Sequence, residues 1–162
     1  MADMFRPVPI EQEPKKKNRF VLEFPSELGI ESFLVQTVKK PSAEIGSVEI
    51  MYMNGSQWVA GRSKWKPMEV KFLDVIGPST TQKIMEWVRL HFESATGRMG
   101  YAVGYKKNIV LKALDPNGIE VEKWTLIGCM ITDAAFGDND HSSEDLQETT
   151  ITLQPDRCIL AA

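Results

Sequence analysis

Chemistry-bearing residues are scarce in this chain of 162 residues, which has two cysteines and two histidines. Cys129 and Cys158 are too few for a disulfide framework and lack the CxxC spacing of a zinc site. They are expected to be reduced, buried thiols. With His91 and His141 alone and no nucleophile elbow, no Ser/His/Asp or Cys/His arrangement is legible, so the expectation is no enzyme, no catalytic residue, no metal and no cofactor. No 18 apolar residues run together, and MADMFRPVPIEQEPKKK at the start has no apolar signal-peptide core. The reading is a protein without a membrane anchor, made and kept in the cytosol. Positive charge is also short: Lys and Arg number 19 against 22 Asp and Glu, a net charge of −3 and a pI near 5.5. That balance argues against gripping nucleic acid through a basic footprint. A wall that DNA merely slides past would suit it.

The composition that remains, 43% hydrophobic and 25% charged, is that of a folded globular chain. Its organisation reads as an N-terminal arm, residues 1–17, ending in Lys15, Lys16 and Lys17, followed by a single domain, residues 18–162. One helix is legible. Across residues 79–95, Ile84, Trp87, Val88, His91, Phe92 and Ala95 form an apolar stripe at helical spacing opposite Lys83, Glu86, Arg89 and Glu93. Ser79 or Thr80 can cap it, Gln82 sits at the capping-box position and Gly97 supplies a left-handed stop, giving about 16 residues or about 24 Å. His91, on the stripe's edge with no carboxylate in register, reads as packing. Leu90 projects among the charges and points to a partner surface.

The remainder alternates like β-sheet. Residues 20–24 and 33–37 read as two strands of a hairpin turning near Gly29. SVEIMYMNGSQWVAGR reads as a second hairpin joined by Asn54-Gly55. On its first arm Val48, Ile50 and Tyr52 face one way and Met51 and Met53, beside Glu49, the other. Both faces are apolar, so this hairpin is either buried inside its own domain or meets another chain. Residues 68–75 form a further strand before the helix. Asp115-Pro116-Asn117-Gly118 turns a third hairpin, 108–114 to 119–127, whose second strand shifts phase as if bulged near Glu122 or Lys123. Strands follow at 129–136 and in QETTITL, where Glu148, Thr150 and Thr152 share one face and Ile151 and Leu153 the other. Glycines 97, 100 and 104 lack the spacing of a phosphate loop and read as a connector. Asp138, Asp140, Ser142 and Glu144 alternate like a calcium loop, but Ser143 stands where that loop needs glycine.

Many strands at regular spacing with one helix imply a mainly β fold, an antiparallel β-sandwich or barrel carrying a single helix. Three stretches add a resemblance: Met53-Asn54 followed by Val59-Ala60-Gly61, KIMEW at Lys83 to Trp87, and Phe136-Gly137 ahead of a polar loop and TTITLQPD. In order and spacing, over about residues 18–160, the chain resembles the tail tube protein of contractile-tailed bacteriophages, related to the tube subunits of contractile injection systems and type VI secretion. The resemblance implies a structural virion protein that forms hexameric rings stacked into an inner tube. It implies assembly in the bacterial host cytoplasm, DNA passing to the host without sequence-specific binding, and the sheath, baseplate hub, tape measure and tail terminator proteins as partners. It also implies that the segment Met51 to Arg62 reaches a neighbouring ring. The expected inter-subunit contacts are Met51, Met53, Asn54, Gly55, Trp58 and Leu90, and Glu148, Thr150 and Thr152 are expected to line an acidic or neutral lumen. An injection-particle tube is the alternative. A β-barrel nucleic-acid module is the other, with Trp58 and Trp65 near Arg62, Lys64 and Lys66 as its candidate stacking surface.

Overall fold

The computed structural model describes residues 11–161. Its strands are β1 (Phe20–Glu23), β2 (Val35–Val38), β3 (Ala43–Tyr52), β4 (Gly55–Trp65), β5 (Met68–Leu73), β6 (Lys107–Leu114), β7 (Glu120–Ala135), β8 (Glu148–Gln154) and β9 (Arg157–Ala161). The helices are α1 (Thr80–His91) and a single turn, α2 (Ala102–Tyr105). Seven strands form one sheet in the order β1-β6-β7-β8-β5-β2, with β9 also on β7, while among the described residues β3 and β4 pair only with each other. All pairings are antiparallel. The mainly β, helix-bearing fold is therefore as the alternation and strand spacing imply.

β7 organises the sheet. Its first half lies between β6 and β9, and its second half pairs with β8. Extra residues at Val121, at Ile127–Gly128 and at Thr132 interrupt the register, and such bulges bend and twist a strand. The expected phase shift is present, one residue before Glu122. At the corner Gly128 has φ 69 and the Asp156 amide donates to Ile127 O at 3.0 Å. A side chain at position 128 would run into the Asp156 carboxylate, which Lys106 Nζ holds at 2.8 Å. The chain turns one sheet into two layers here, as strands at sandwich corners do.

The two layers and α1 enclose one core. Leu22, Ile109, Leu111, Leu126, Met68, Val70, Phe72, Ile151 and Leu153 project into it from the strands, and Ile84 and Trp87 from the helix. Phe24 meets Phe72 at 5.6 Å and Trp87 at 6.4 Å, and the Trp87 indole N–H donates to Tyr105 O at 2.9 Å, so the ring's polar handle is satisfied. Cys129 and Cys158 are buried and free.

Several expectations need correction here. β1 and β2 do not form a hairpin; they end up at opposite ends of the sheet, on β6 and β5. Alternation identifies strands but not their partners, and Leu28, Ile30 and Leu34 in the intervening segment are drawn into the core instead. The helix has 12 residues and stops at His91, because Phe92 turns extended (φ −154) and bridges to Met99. Phe92 and Ala95 thus leave the apolar stripe, and Gly97 closes a separate turn onto Glu93 O at 2.7 Å. Nor does Ser79 cap: Asp74 reaches forward to accept the Thr81 amide at 3.4 Å and the Thr81 hydroxyl at 2.7 Å. The connector expected at glycines 97, 100 and 104 is in part ordered: Gly100 lies against Leu90 O and Gly104 sits within α2.

Candidate assembly surface

The β3–β4 hairpin stands off the two-layered sheet. Every residue of β3 is exposed, as is β4 apart from Gly61 and Trp65, so burial within its own domain is excluded. Ten to eleven residues per strand give it a length of about 33 Å. Its root is tied at few points: the Lys66 amide donates to Ser42 O at 2.9 Å, Gln154 Nε2 donates to Trp65 O at 3.0 Å, and Trp65 packs edge-on to Trp124 at 6.2 Å.

Register sorts the side chains. Val48 opposite Val59, Ile50 opposite Gln57 and Tyr52 opposite Gly55 share one face; Glu49 opposite Trp58 and Met51 opposite Ser56 share the other, with Ile45 farther along. Each face carries large apolar groups in water, Met51 at 75% and Trp58 at 62% exposure on one and Tyr52 at 75% on the other. Gly46 lies against Arg62 O across the strands, at 3.1 Å from where a Cβ would be, and the bulge at Gly61–Arg62 sits at this close approach. The turn is one residue earlier than Asn54-Gly55 suggests. Tyr52 pairs with Gly55, and the two turn residues are Met53 and Asn54, with Met53 at φ 50. A methionine in the left-handed region, 85% exposed, is an unusual way to end a hairpin.

Leu90 is partly exposed at the end of α1, as its place among charges implies. Sequence reasoning missed what adjoins it: Phe92, Met99, Tyr101 and Val103 are also exposed around the Phe92–Met99 bridge. Glycine spacing drew attention to this stretch while its apolar residues carried the information.

Glu148, Thr150 and Thr152 point out of the sheet, and Thr149, Ile151 and Leu153 point in. Neighbours in register on the outer face are Glu69, Lys71 and Leu73 of β5 and Asp133 and Ala135 of β7. This face is polar with acidic groups in excess. The loop of residues 137–147 borders it, and with Gln36, Glu148 and Thr150 walls an open cleft of about 1190 Å³. In that loop Asp140 spends one oxygen on the Ser142 amide and hydroxyl, at 2.9 and 2.8 Å, which holds its carboxyl below the usual carboxylate range. Among the described residues no group of three His, Cys, Asp or Glu side chains is placed to hold a metal.

His91 works in the packing. Nδ1 lies 3.0 Å from Trp87 O, Nε2 accepts the Ile131 amide at 3.2 Å, and the ring stacks on Tyr105 at 4.4 Å. These partners require the neutral Nδ1–H tautomer. Burial pushes its pKa below the ordinary histidine value. The stacking surface of a nucleic-acid module is not assembled: Trp65 is half-buried against Trp124, and Lys64 pairs with Glu44 at 3.5 Å on the face opposite Trp58.

No family model matches the chain, and no curated protein sequence matches it. Solved structures do. The cap that terminates the tube of the anti-feeding prophage superposes with a TM-score of 0.76 at 17% identity, over 100% of this chain and 99% of that one. The sheath–tube complex of an extracellular contractile injection system, PVC, in its extended state gives 0.73 at 18% identity over 92% of both chains. The sheath/tube terminator of the same system gives 0.76 at 18% identity over 93% of this chain and 99% of that one. The fold is the tail-tube fold. The first of these alignments spans the whole described domain.

Proposed function

We propose that this chain is a structural subunit of a contractile tail, self-associating into rings of six that stack as an inner tube or cap its end. The observation that carries the reading is the tail-tube fold shared over essentially the full length of the chain. The standing hairpin fits it: a lone chain leaves Met51, Met53, Trp58, Tyr52, Ile50 and Val48 in water, and a head-to-tail neighbour removes them from it. Met51, Met53, Asn54, Gly55 and Trp58 are accordingly assigned to the contact between stacked rings, and Leu90 to a contact on the flank. Among the described residues β1 and β2 each present one unpaired strand edge, and closing a ring of sheets covers such edges. Glu148, Thr150 and Thr152 are assigned to the lumen.

Two of the similar structures reported above belong to an extracellular contractile injection system, so we place the subunit in such a particle, with its sheath, baseplate and terminator proteins as partners. A phage tube conducting DNA is the second reading, favoured by the outer face of β7, β8 and β5. There Glu69, Asp133 and Glu148 outweigh Lys71, and an acidic wall does not hold phosphates.

Negative-stain microscopy of the purified chain tests self-association: six-fold rings or tubes are expected, and a monodisperse monomer at high concentration refutes it. Purified particles then separate the readings by content, nuclease-protected DNA for the phage tube and protein cargo for the injection particle.

A further inference from the structure

Three segments converge on one nearly buried carboxylate. Register places Phe20, Ala113 and Glu122 in one row across β1, β6 and β7, beside the row Leu22, Leu111 and Trp124. Glu122 is therefore on the core-facing side of the sheet, where an ionised carboxylate needs partners. It has three. Lys15 Nζ donates at 2.6 Å, Lys40 Nζ at 3.0 Å, and the Trp124 indole N–H completes the set. The Glu122 side chain is 12% exposed, whereas the two lysine side chains are mostly in water.

The donors come from parts of the chain that share nothing else. Lys15 belongs to the arm and, crossing from the β1 side to β7, spans two strand spacings, about 10 Å. Lys40 lies in the connector between β2 and β3. Together with Phe20, Val35, Leu111 and Trp124, Lys40 and Glu122 border an open groove of about 1150 Å³ between β1 and β2, and Lys15 reaches Glu122 at its margin. Trp124 carries the network onward, since its ring is the surface on which Trp65, the last residue of β4, is seated. Beyond Trp65 the hairpin touches little but itself, so a few root contacts decide its direction. A rotation of 10° at the root moves the tip of a 33 Å lever by about 6 Å.

We propose that Glu122 is a joint through which the arm sets the direction of the β3–β4 hairpin. With Lys15 and Lys40 seated, the carboxylate fixes the Trp124 indole, Trp124 fixes Trp65, and the hairpin holds one pose. When Lys15 leaves, the pose loosens. Only the consequence rests on the function proposed above: a hairpin held in one direction meets a neighbouring copy with less entropy to lose.

Pulsed electron paramagnetic resonance on the full chain tests this, with spin labels at Ser56→Cys near the hairpin tip and Glu69→Cys on β5. Cys129 and Cys158 are buried and stay unlabelled, and dilution into unlabelled chain removes distances between copies. The parent should give one narrow distance distribution. It should broaden in Lys15→Ala/Lys40→Ala and in Glu122→Gln, and stay narrow in Lys15→Arg, which keeps the charge. Removing both lysines leaves Glu122 without its cationic partners and lowers the melting temperature, so distances are measured well below each variant's own melting transition, where a change in pose is separable from loss of fold. A distribution as narrow in Lys15→Ala/Lys40→Ala as in the parent overturns the proposal. Assembly is scored separately. Broadening with unchanged tube formation upholds the joint and removes the hairpin from assembly, whereas impaired assembly with an unchanged pose removes the joint alone.

Discussion

Replacing Met51 and Met53 together by aspartate should abolish polymerisation while leaving the subunit folded. Full burial of a methionine side chain contributes about 1.5–3 kcal/mol. Because 75% of Met51 and 85% of Met53 are in water in the free chain, a contact that covers both can recover about 2.4–4.8 kcal/mol per hairpin. At about 1.4 kcal/mol per factor of ten, losing that contact raises the concentration needed for assembly by roughly two to three orders of magnitude. Desolvating two carboxylates adds to the effect. The fold should not notice. Surface substitutions away from special features stay within about 0.5 kcal/mol, or about 2 °C in a chain of this size. Met53 is the special position, with φ 50, and aspartate tolerates that conformation better than methionine does. The assay is paired: melting of the dilute subunit, and a concentration series scored for rings and tubes by microscopy. Tubes at the parent's concentration would refute the assignment of this face to a contact. A double mutant that fails to fold would show that the hairpin supports the domain.

Four further outcomes follow from particular contacts. Gly100→Ala puts a Cβ into the Leu90 carbonyl, so thermal melting should fall by several degrees for about 1–3 kcal/mol of overpacking. His91 is needed neutral by Ile131 and its folded pKa is lowered, so its contribution is present above the ordinary value of 6.5 and is lost as pH falls through the folded pKa. A His91→Gln variant should flatten that part of the stability profile measured from pH 7 to 5. Burial pushes the thiols of Cys129 and Cys158 up to about 12 and about 11, so a thiol reagent at pH 8 should modify them only at the rate of unfolding. Rapid labelling of the native chain would contradict this. Glu148→Lys with Thr150→Lys should leave tube yield unchanged but make tubes retain polyanions in a salt-dependent way, if the outer face of β8 lines the lumen.

Strands were legible because their alternation is locally complete: Thr149, Ile151 and Leu153 against Glu148, Thr150 and Thr152 assigns both faces of β8 without reference to any other strand. The Asp115 turn was legible for the same reason, since Asp115 Oδ1 accepts the Asn117 and Ile119 amides from within the same few residues, both at 2.8 Å. Partners were not. Nothing near Phe20 indicates Ala113, and nothing near Val35 indicates Phe72. The end of α1 was misjudged because Phe92 and Ala95 keep helical spacing although a non-local bridge to Met99 draws the backbone away at Phe92. At the candidate surface, the two apolar faces of the hairpin were visible as a pattern, but exposure is a property of the whole fold. Glu122 was passed over as part of a bulge. Its parity with Trp124 and Leu126, which puts a carboxylate on a core-facing row, was the available signal.

The corner strand β7 has a consequence for how the chain reaches its native state. Its partners β6, β8 and β9 all lie between residues 107 and 161, so these pairings close modest loops. β1 and β5 wait longer, because Phe20 must find Ala113 and Met68 must find Leu153. During synthesis the first half of the protein therefore emerges with β1 and one edge of β5 unpaired, and in that half only β3 with β4, and after them β2 with β5, can pair with what has already been made. The element that stands outside the finished two-layered sheet is the first that can form, and the sheet is complete only after the last strands leave the ribosome. Chains released early, anywhere before residue 148, carry β5 without β8, and aggregation rather than partial assembly is the expected fate of such fragments.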